Sequence, residues 1–284
     1  MDQPLAKLYV VAIPIGNLED ITLRALRILR EVDLIACEDT RMTRKLLHLL
    51  DLPAKPLVSY HDIGEEKQAQ NLVKRLEHEN LQMALVSDAG TPCIADPGFR
   101  LVAAAKKRGI VVSPIPGPSS SLALASASGL PTDRLLFVGF LPSRAGELRG
   151  ECQSWALLKA SILAFESPKR LAATLALLAE LYPAGEIAIG RELTKVYEEI
   201  PTLALSEALS WWQQHAKPKG EVSLMIYPKT QKLSGEALAA LITAKAKALI
   251  ARGFSQQDLL VEFKDWGLAK KELYKLLLAL KERD

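Results

Sequence analysis

Ser87-Asp88-Ala89-Gly90-Thr91-Pro92-Cys93-Ile94-Ala95-Asp96-Pro97-Gly98 follows a short apolar run, residues 83–86, and precedes a helical pattern that starts near Phe99. A short apolar run bounded by turn residues reads as a buried parallel strand. Loops at the carboxyl ends of such strands lie where open α/β sheets bind ligands, and small residues let backbone N–H and C=O groups approach a ligand directly. The same residues also suit a plain strand-to-helix connection capped by Asp96, so the stretch alone leaves both readings open.

Two further stretches of the same character tip the balance. Residues 8–13 form a continuous apolar run and end in Pro14-Ile15-Gly16-Asn17-Leu18-Glu19-Asp20, after which Thr22 caps a helix with Leu23, Leu26 and Leu29 toward the core. Residues 110–113 read as a strand that ends in Pro114-Ile115-Pro116-Gly117-Pro118-Ser119-Ser120-Ser121. The prolines there preset the backbone, and serines at a helix start offer hydroxyls and free N–H groups to an acceptor-rich ligand. Three shaped loops at one edge of one sheet point to a binding site. None is a dinucleotide fingerprint, because GxGxxG is absent.

The intervening segments complete a parallel α/β pattern in which strand and helix alternate. A strand at 33–37 runs into Glu38-Asp39-Thr40-Arg41 and a helix to about Leu50, and a strand at 57–60 ends in His61-Asp62. Helix capping accounts for Asp39 and Thr40, but it leaves Arg41 and Arg44 in a first turn that disfavours cations. A charged helix spans 65–79, and another spans 99–107 with Gly109 at its end. Residues 129–133 break the pattern and read as a hinge between domains.

A second α/β unit follows, with strands at 135–140, 161–165, 186–189 and 222–227. Residues 142–150 read as an exposed loop carrying Arg144, Glu147 and Arg149, suited to phosphates. Polar residues again stand at strand ends: Glu166-Ser167-Pro168-Lys169-Arg170, Gly190-Arg191-Glu192-Leu193-Thr194-Lys195 and Lys217-Pro218-Lys219-Gly220-Glu221. Trp211 and Trp212 read as packing residues. Beyond Lys232 the chain is rich in Ala, Leu and Lys, with helices at 236–251, 255–263 and 268–280 stopped by Gly253 and Gly267 and capped at Ser255. The tail resembles a helix-turn-helix module whose polar faces carry Lys245, Lys247, Arg252, Lys264, Lys270, Lys271 and Lys275, open to nucleic acid or to solvent alone. The expected division is 1–118, 119–231 and 232–284.

Composition sets the outer bounds. With 284 residues, 49% hydrophobic and 24% charged, the chain can build sizeable cores. Its three cysteines lie far apart without CxxC spacing, which suggests neither a disulfide framework nor a zinc site and fits a reducing cytoplasm. The N-terminus lacks a basic region, and no stretch reaches the roughly 20 apolar residues of a membrane helix. The chain therefore reads as neither exported nor membrane-spanning. A net charge of +3 is too small to demand a nucleic-acid partner.

The set Pro14 to Thr22, Glu38-Asp39-Thr40-Arg41, Ser87 to Pro92, Pro116-Gly117-Pro118, Phe165-Glu166-Ser167-Pro168, Arg191 to Lys195 and Lys219-Gly220-Glu221 resembles one family in order over nearly the whole chain. That family is the small-subunit ribosomal RNA branch of the tetrapyrrole-methylase-like (class III) S-adenosylmethionine-dependent methyltransferases. Departures stand at Phe165-Glu166 and Cys93. The resemblance implies two α/β domains with S-adenosylmethionine in the cleft between them, a homodimer, no metal, and 2′-O-methylation of a cytidine ribose in the decoding region of ribosomal RNA, within an assembled subunit. It implies Ile15, Asp88, Gly90, Thr91, Ile94, Ser119, Ser120, Phe165, Leu193 and Gly220 as cofactor contacts.

Methyl transfer to a ribose hydroxyl needs alignment of donor and acceptor and a fate for the hydroxyl proton. Glu38, Asp39, Asp88, Glu192 and Lys195 are candidate bases, with Glu192 first and Lys195 orienting the ribose, and orientation alone remains open. Glu38, Asp39, Arg41, Arg44, Arg144, Arg149, Arg191 and Lys219 are candidate RNA contacts, since the guanidinium fork matches phosphate oxygens. A corrinoid or sirohaem precursor C-methyltransferase and a non-enzymatic RNA-binding protein are the competing classes. A hydrolase is excluded by the missing GxSxG.

Overall fold

The computed structural model describes residues 6–61, 64–155, 158–214, 220–229, 235–250, 253–264 and 266–281. The first half holds β1 (Lys7–Val11), α1 (Leu23–Glu31), β2 (Leu34–Cys37), α2 (Thr40–Leu49), β3 (Leu57–Ser59), α3 (Glu65–Glu79), β4 (Gln82–Val86), α4 (Phe99–Lys107) and β5 (Val111–Ile115). Its five strands form a wholly parallel sheet in the order β3-β2-β4-β1-β5. Alternate residues of each strand point to opposite faces. Leu8, Leu34, Met83 and Leu85 therefore pack with Leu72, Leu76 and Leu101 of α3 and α4. Val11, Ile35, Ala84 and Val86 pack with Ile28, Leu29 and Leu47 of α1 and α2. Burial on both faces is what makes these strands continuous apolar runs.

The second half holds α5 (Ser120–Ala127), β6 (Leu135–Phe140), α6 (Ala145–Ser154), β7 (Ser161–Glu166), α7 (Pro168–Leu181), β8 (Glu186–Arg191), β9 (Thr202–Ala204), α8 (Leu205–Gln213) and β10 (Val222–Tyr227). These strands form a mixed sheet, β6-β7-β10-β8-β9. Only β6 and β7 run parallel, and β10 lies antiparallel between β7 and β8. Its first residue, Val222, thereby stands beside Glu166 and Arg191 at the carboxyl ends of its neighbours. Trp155, Leu171, Leu178 and Trp212 cover one face, and Leu124 of α5 packs on the other with Leu163, Ala188 and Met225.

Five expectations change. The chain crosses between the sheets before α5, and residues 129–133 are fixed within the second unit rather than forming a hinge. Leu130 is buried in its core, and Thr202 and Ser161 hydroxyls donate to the carbonyls of Ser128 and Pro131. Most of 142–150, expected as an exposed loop, belongs to the helix at 145–154, because Leu148 and Cys152 fall one turn apart and both reach the core. Leu23 is exposed, since the buried stripe of α1 is Ala25, Ile28 and Leu29. The cap of α4 is Gly98 instead of Asp96. The short edge strand β9 carries too little apolar signal to stand out in sequence.

The tail forms α9 (Gly235–Ile250), α10 (Gln256–Phe263) and α11 (Lys270–Lys281) around Ile242, Leu259, Phe263, Leu273 and Leu277. Ser255 caps α10 reciprocally with Asp258. Among the described residues no helix is long and apolar enough to cross a membrane.

Burial raises the Cys37 thiol and pushes Cys93 up to about 11 and Cys152 up to about 12. At pH 8 the thiolate fractions of Cys93 and Cys152 fall roughly 100-fold or more below an ordinary cysteine. Thiol-disulfide reagents at pH 8 are expected to label these cysteines at least ~30-fold more slowly in the native chain than after unfolding. Rapid native labelling of Cys93 would contradict this placement.

Candidate active site between the two sheets

The three loops noted in the sequence are hydrogen-bonded to one another. Ile13 and Gly90 exchange backbone hydrogen bonds of 2.9 and 3.1 Å, and the Thr91 hydroxyl donates to the Pro118 carbonyl at 2.9 Å. Gly90 has φ +71°, and a Cβ there would stand 3.2 Å from Ile15 Cγ2. A side chain at this crossing is opposed both by the backbone conformation and by the neighbouring loop. From the adjacent strand, the Asp39 N–H donates to Asp88 Oδ1 at 3.1 Å, which fixes the first carboxylate of the 87–98 loop.

The far end of that loop is anchored by Glu65, the first residue of α3. Its carboxylate, almost wholly buried, accepts from the Tyr60 hydroxyl at 3.0 Å and the Gly98 N–H at 3.1 Å, and pairs with Arg100 Nε at 3.0 Å. A buried carboxylate is tolerated when donors surround it in this way. In sequence Glu65 looks like an ordinary acid at a helix start. The available signal was Tyr60, a buried strand-end tyrosine whose hydroxyl needs an acceptor.

The second sheet closes the site from the opposite side. Leu193, Thr194 and Lys195 press against Gly16, where an added Cβ would lie only 2.6 Å from Lys195 Cγ and 2.8 Å from Thr194 Oγ1. Ile15 packs against the second sheet's cluster of Leu124, Leu163 and Leu193. Phe165 stands edge-on to Phe137 and Phe140, with ring centroids 5.2 and 5.4 Å away. Below it, Glu166 is buried, paired with Arg170 at 2.6 Å and bonded by the Thr174 hydroxyl at 2.8 Å.

Together these elements enclose a cleft of about 510 Å³, within the range of small-molecule sites. Ile15, Asp88, Gly90, Thr91, Ile94, Ser119, Ser120, Phe165, Leu193 and Gly220 all line it, as does Glu38. The sequence reading missed Asp96, Ser121, Phe140, Glu166, Gly190, Glu221 and Ser223, which also line it. The lining holds five carboxylates, Glu38, Asp88, Asp96, Glu166 and Glu221, and no lysine or arginine among the described residues. At the opposite wall, Ser119 caps α5 without a side-chain hydrogen bond, so hydroxyls and helix N–H groups face the cleft together. Such a cavity suits a compact zwitterion with extra positive charge, one end anionic and the rest cationic.

Glu192 and Lys195 do not line the cleft. Glu192, at φ +50°, lies behind Gly220, where an added Cβ would collide with its carboxylate. Its Oε1 accepts from Lys195 Nζ and from the Glu221 N–H, each at 3.1 Å. The arginines lie outside the cleft as well. Arg144, Arg149 and Arg191 pair with Glu147, Glu180 and Glu199 at 2.8–2.9 Å. Arg41 pairs with Asp39 at 2.7 Å and holds its carboxyl down to about 2, while Arg44 is exposed on α2. Lys219 and Arg252 lie outside the described residues.

Two sheets that meet across such a cleft, with residues 7–209 matching the family model of Tetrapyrrole (Corrin/Porphyrin) Methylases, define a tetrapyrrole-methylase-type protein. The same fold occurs in uroporphyrin-III-C-methyltransferase from Thermus thermophilus, at TM-score 0.55 and 20% identity over 82% of this chain and 98% of that one. Within that class the chain belongs to the ribosomal RNA small subunit methyltransferase I family. It is 41% identical to the Halalkalibacterium halodurans protein of that name over 95% of this chain and 93% of the relative. It is 37% identical to the Escherichia coli O157:H7 protein over 98% and 96% respectively.

Replacing Glu65 by Gln keeps an acceptor for Tyr60 and Gly98 but removes the charge facing Arg100. The expected loss is about 1–2 kcal/mol, and Glu65→Ala is expected to cost more, read from urea unfolding. Equal stability of wild type and Glu65→Ala would show that the carboxylate does not anchor the loop.

Proposed function

We propose that this chain transfers a methyl group from S-adenosylmethionine to the ribose 2′-hydroxyl of a cytidine in the decoding region of small-subunit ribosomal RNA. The observation that carries the cofactor assignment is the acidic cleft beside the open N-terminus of α5. Glu166 is offset by Arg170 and Glu221 lies 3.7 Å from Lys195 Nζ, so Glu38, Asp88 and Asp96 carry the negative field that opposes an anionic nucleotide and favours a sulfonium bearing an ammonium group. The substrate assignment rests on the relatives.

When bound, the cofactor supplies an electrophilic methyl carbon, and the protein supplies alignment. Asp88, Gly90 and Thr91 would hold it from one side through backbone groups and the Thr91 hydroxyl, with Ile15 and Ile94 as apolar contacts. Ser119 and Ser120 would take its carboxylate, while Phe165, Leu193 and Gly220 close the second side. Units 1–118 and 119–231 thus each contribute half of the cleft. Because Glu192 is bonded to Lys195 and the Glu221 N–H, it serves in this reading as a positioning residue for the Gly220–Glu221 turn instead of the base. Asp88 and Glu38 line the cleft and are the candidate bases that this reading keeps.

The RNA reading uses Arg41 and Arg44 beside Glu38 and Asp39. Arg144 and Arg149 would exchange their surface glutamates for phosphates, a small cost because exposed ion pairs are worth about 0–1 kcal/mol, whereas Arg191 is half-buried against Glu199 and would give up its partner less readily. A cytoplasmic homodimer that acts on an assembled subunit belongs to the same reading.

The test is transfer of labelled methyl from S-adenosylmethionine to small ribosomal subunits that lack the modification, with tetrapyrrole precursors in parallel. Incorporation into the subunits alone is expected, and incorporation into a tetrapyrrole alone would move the chain to the other branch of its class. Glu192→Gln should keep turnover within about tenfold, since it retains the acceptor for Glu221. A loss of 10²-fold or more at unchanged cofactor affinity would instead mark Glu192 as the base.

A further inference from the structure

The acidic cleft creates a difficulty for an enzyme that must hold RNA, because its lining repels the phosphates of the strand it acts on. Cations that offset this must stand elsewhere. On the tail, α10 and α11 flank a groove of about 770 Å³. Leu260, Leu273 and Leu278 form its apolar floor, and Tyr274 is half-exposed within it. Its rim carries Lys264 from the end of α10 and Lys270, Lys271 and Lys275 from α11.

The rim lysines differ from Lys245 of α9. Lys245 is paired with Glu262 at 3.0 Å and lies over the Trp266 ring. Among the described residues, none of the four groove lysines has a carboxylate partner. Lys270 and Lys271 also occupy the first turn of α11, where the helix dipole disfavours cations and Glu272 is the lone acid in that turn. Lys270 and Lys271 precede Tyr274 by four and three residues, so all three share one helix face. Unpaired cations around an aromatic ring on an apolar floor match a ligand with an anionic backbone and flat apolar faces.

We propose that this groove binds a single-stranded RNA segment, its phosphates on the four lysines and one base against Tyr274. The proposal rests on the reading that the chain acts on RNA. A duplex keeps its bases stacked inside, whereas an unstacked base can enter an apolar groove and lie on an aromatic ring. The tail is thereby a strand-holding surface that adds to the arginines outside the acidic cleft.

The test measures binding of a fluorescein-labelled single-stranded RNA 12-mer to the full chain across a salt series. Variants are Tyr274→Ala, Tyr274→Phe and the double change Lys270→Glu with Lys271→Glu, each checked by thermal melting. Tyr274→Ala should weaken binding by about 5–10-fold, as expected for one base stack, and Tyr274→Phe should restore it. The double lysine variant should bind more weakly still and lower the slope of log K against log salt by about 1.4, or 0.7 for each lost phosphate contact. Tyr274→Ala within twofold of wild type, or an unchanged salt slope in the lysine variant, overturns the proposal, including the case where the groove serves a protein partner. Methyl transfer by the unaltered chain is scored separately. If it fails while the groove variants lose RNA, the methylation reading falls and the groove stands.

Discussion

The paired hydrogen bonds between Ile13 and Gly90 constrain more of this molecule than any other contact. They tie the loop after β1 to the loop after β4, and one residue further on Thr91 ties that loop to the one after β5. Three connections that would otherwise move independently become one surface. Loops usually lose order at their tips because their backbone groups bond only to water. Here the tips bond to one another, and Glu65 holds the remaining free end through the Gly98 N–H. Pre-organisation of this kind lowers the ordering cost when a ligand binds.

That surface is only half of the cleft. The second sheet supplies the rest because β10 runs against its neighbours, bringing Gly220–Ser223 to the same edge as the ends of β7 and β8. Close approach of the halves requires Gly16, against which Leu193, Thr194 and Lys195 pack. The electrostatic consequence is a division of labour. Carboxylates gather inside the cleft, while the cations stand on α2, on the outer helices and on the tail. In the proposed reading a cationic methyl donor and a polyanionic strand therefore meet different parts of the same chain.

The parallel sheet was legible because each strand is a short apolar run that ends in glycine, proline or serine, and the ten positions that the family resemblance implied, seven in those loops and three in the second unit, line one cleft. What escaped depended on contacts distant in sequence. Nothing local in 222–227 tells that this strand inserts antiparallel between β7 and β8. Glu65 reads as a solvated helix-start acid until Tyr60, Gly98 and Arg100 are seen around it. Glu192 stands in a conspicuous polar cluster, yet a glycine 28 positions later leaves room for its carboxylate behind the cleft wall. The stretch 142–150 reads as a loop because its charges are more conspicuous than Leu148 and Cys152, the two side chains that fold 145–154 as a helix.

Calorimetric titration of S-adenosylmethionine into the chain and into Gly90→Val tests most directly whether the clamped loops form the cofactor site. The account predicts saturable binding of one cofactor per chain, lost in the variant while its unfolding transition remains cooperative. Equal affinity in the two proteins would contradict it.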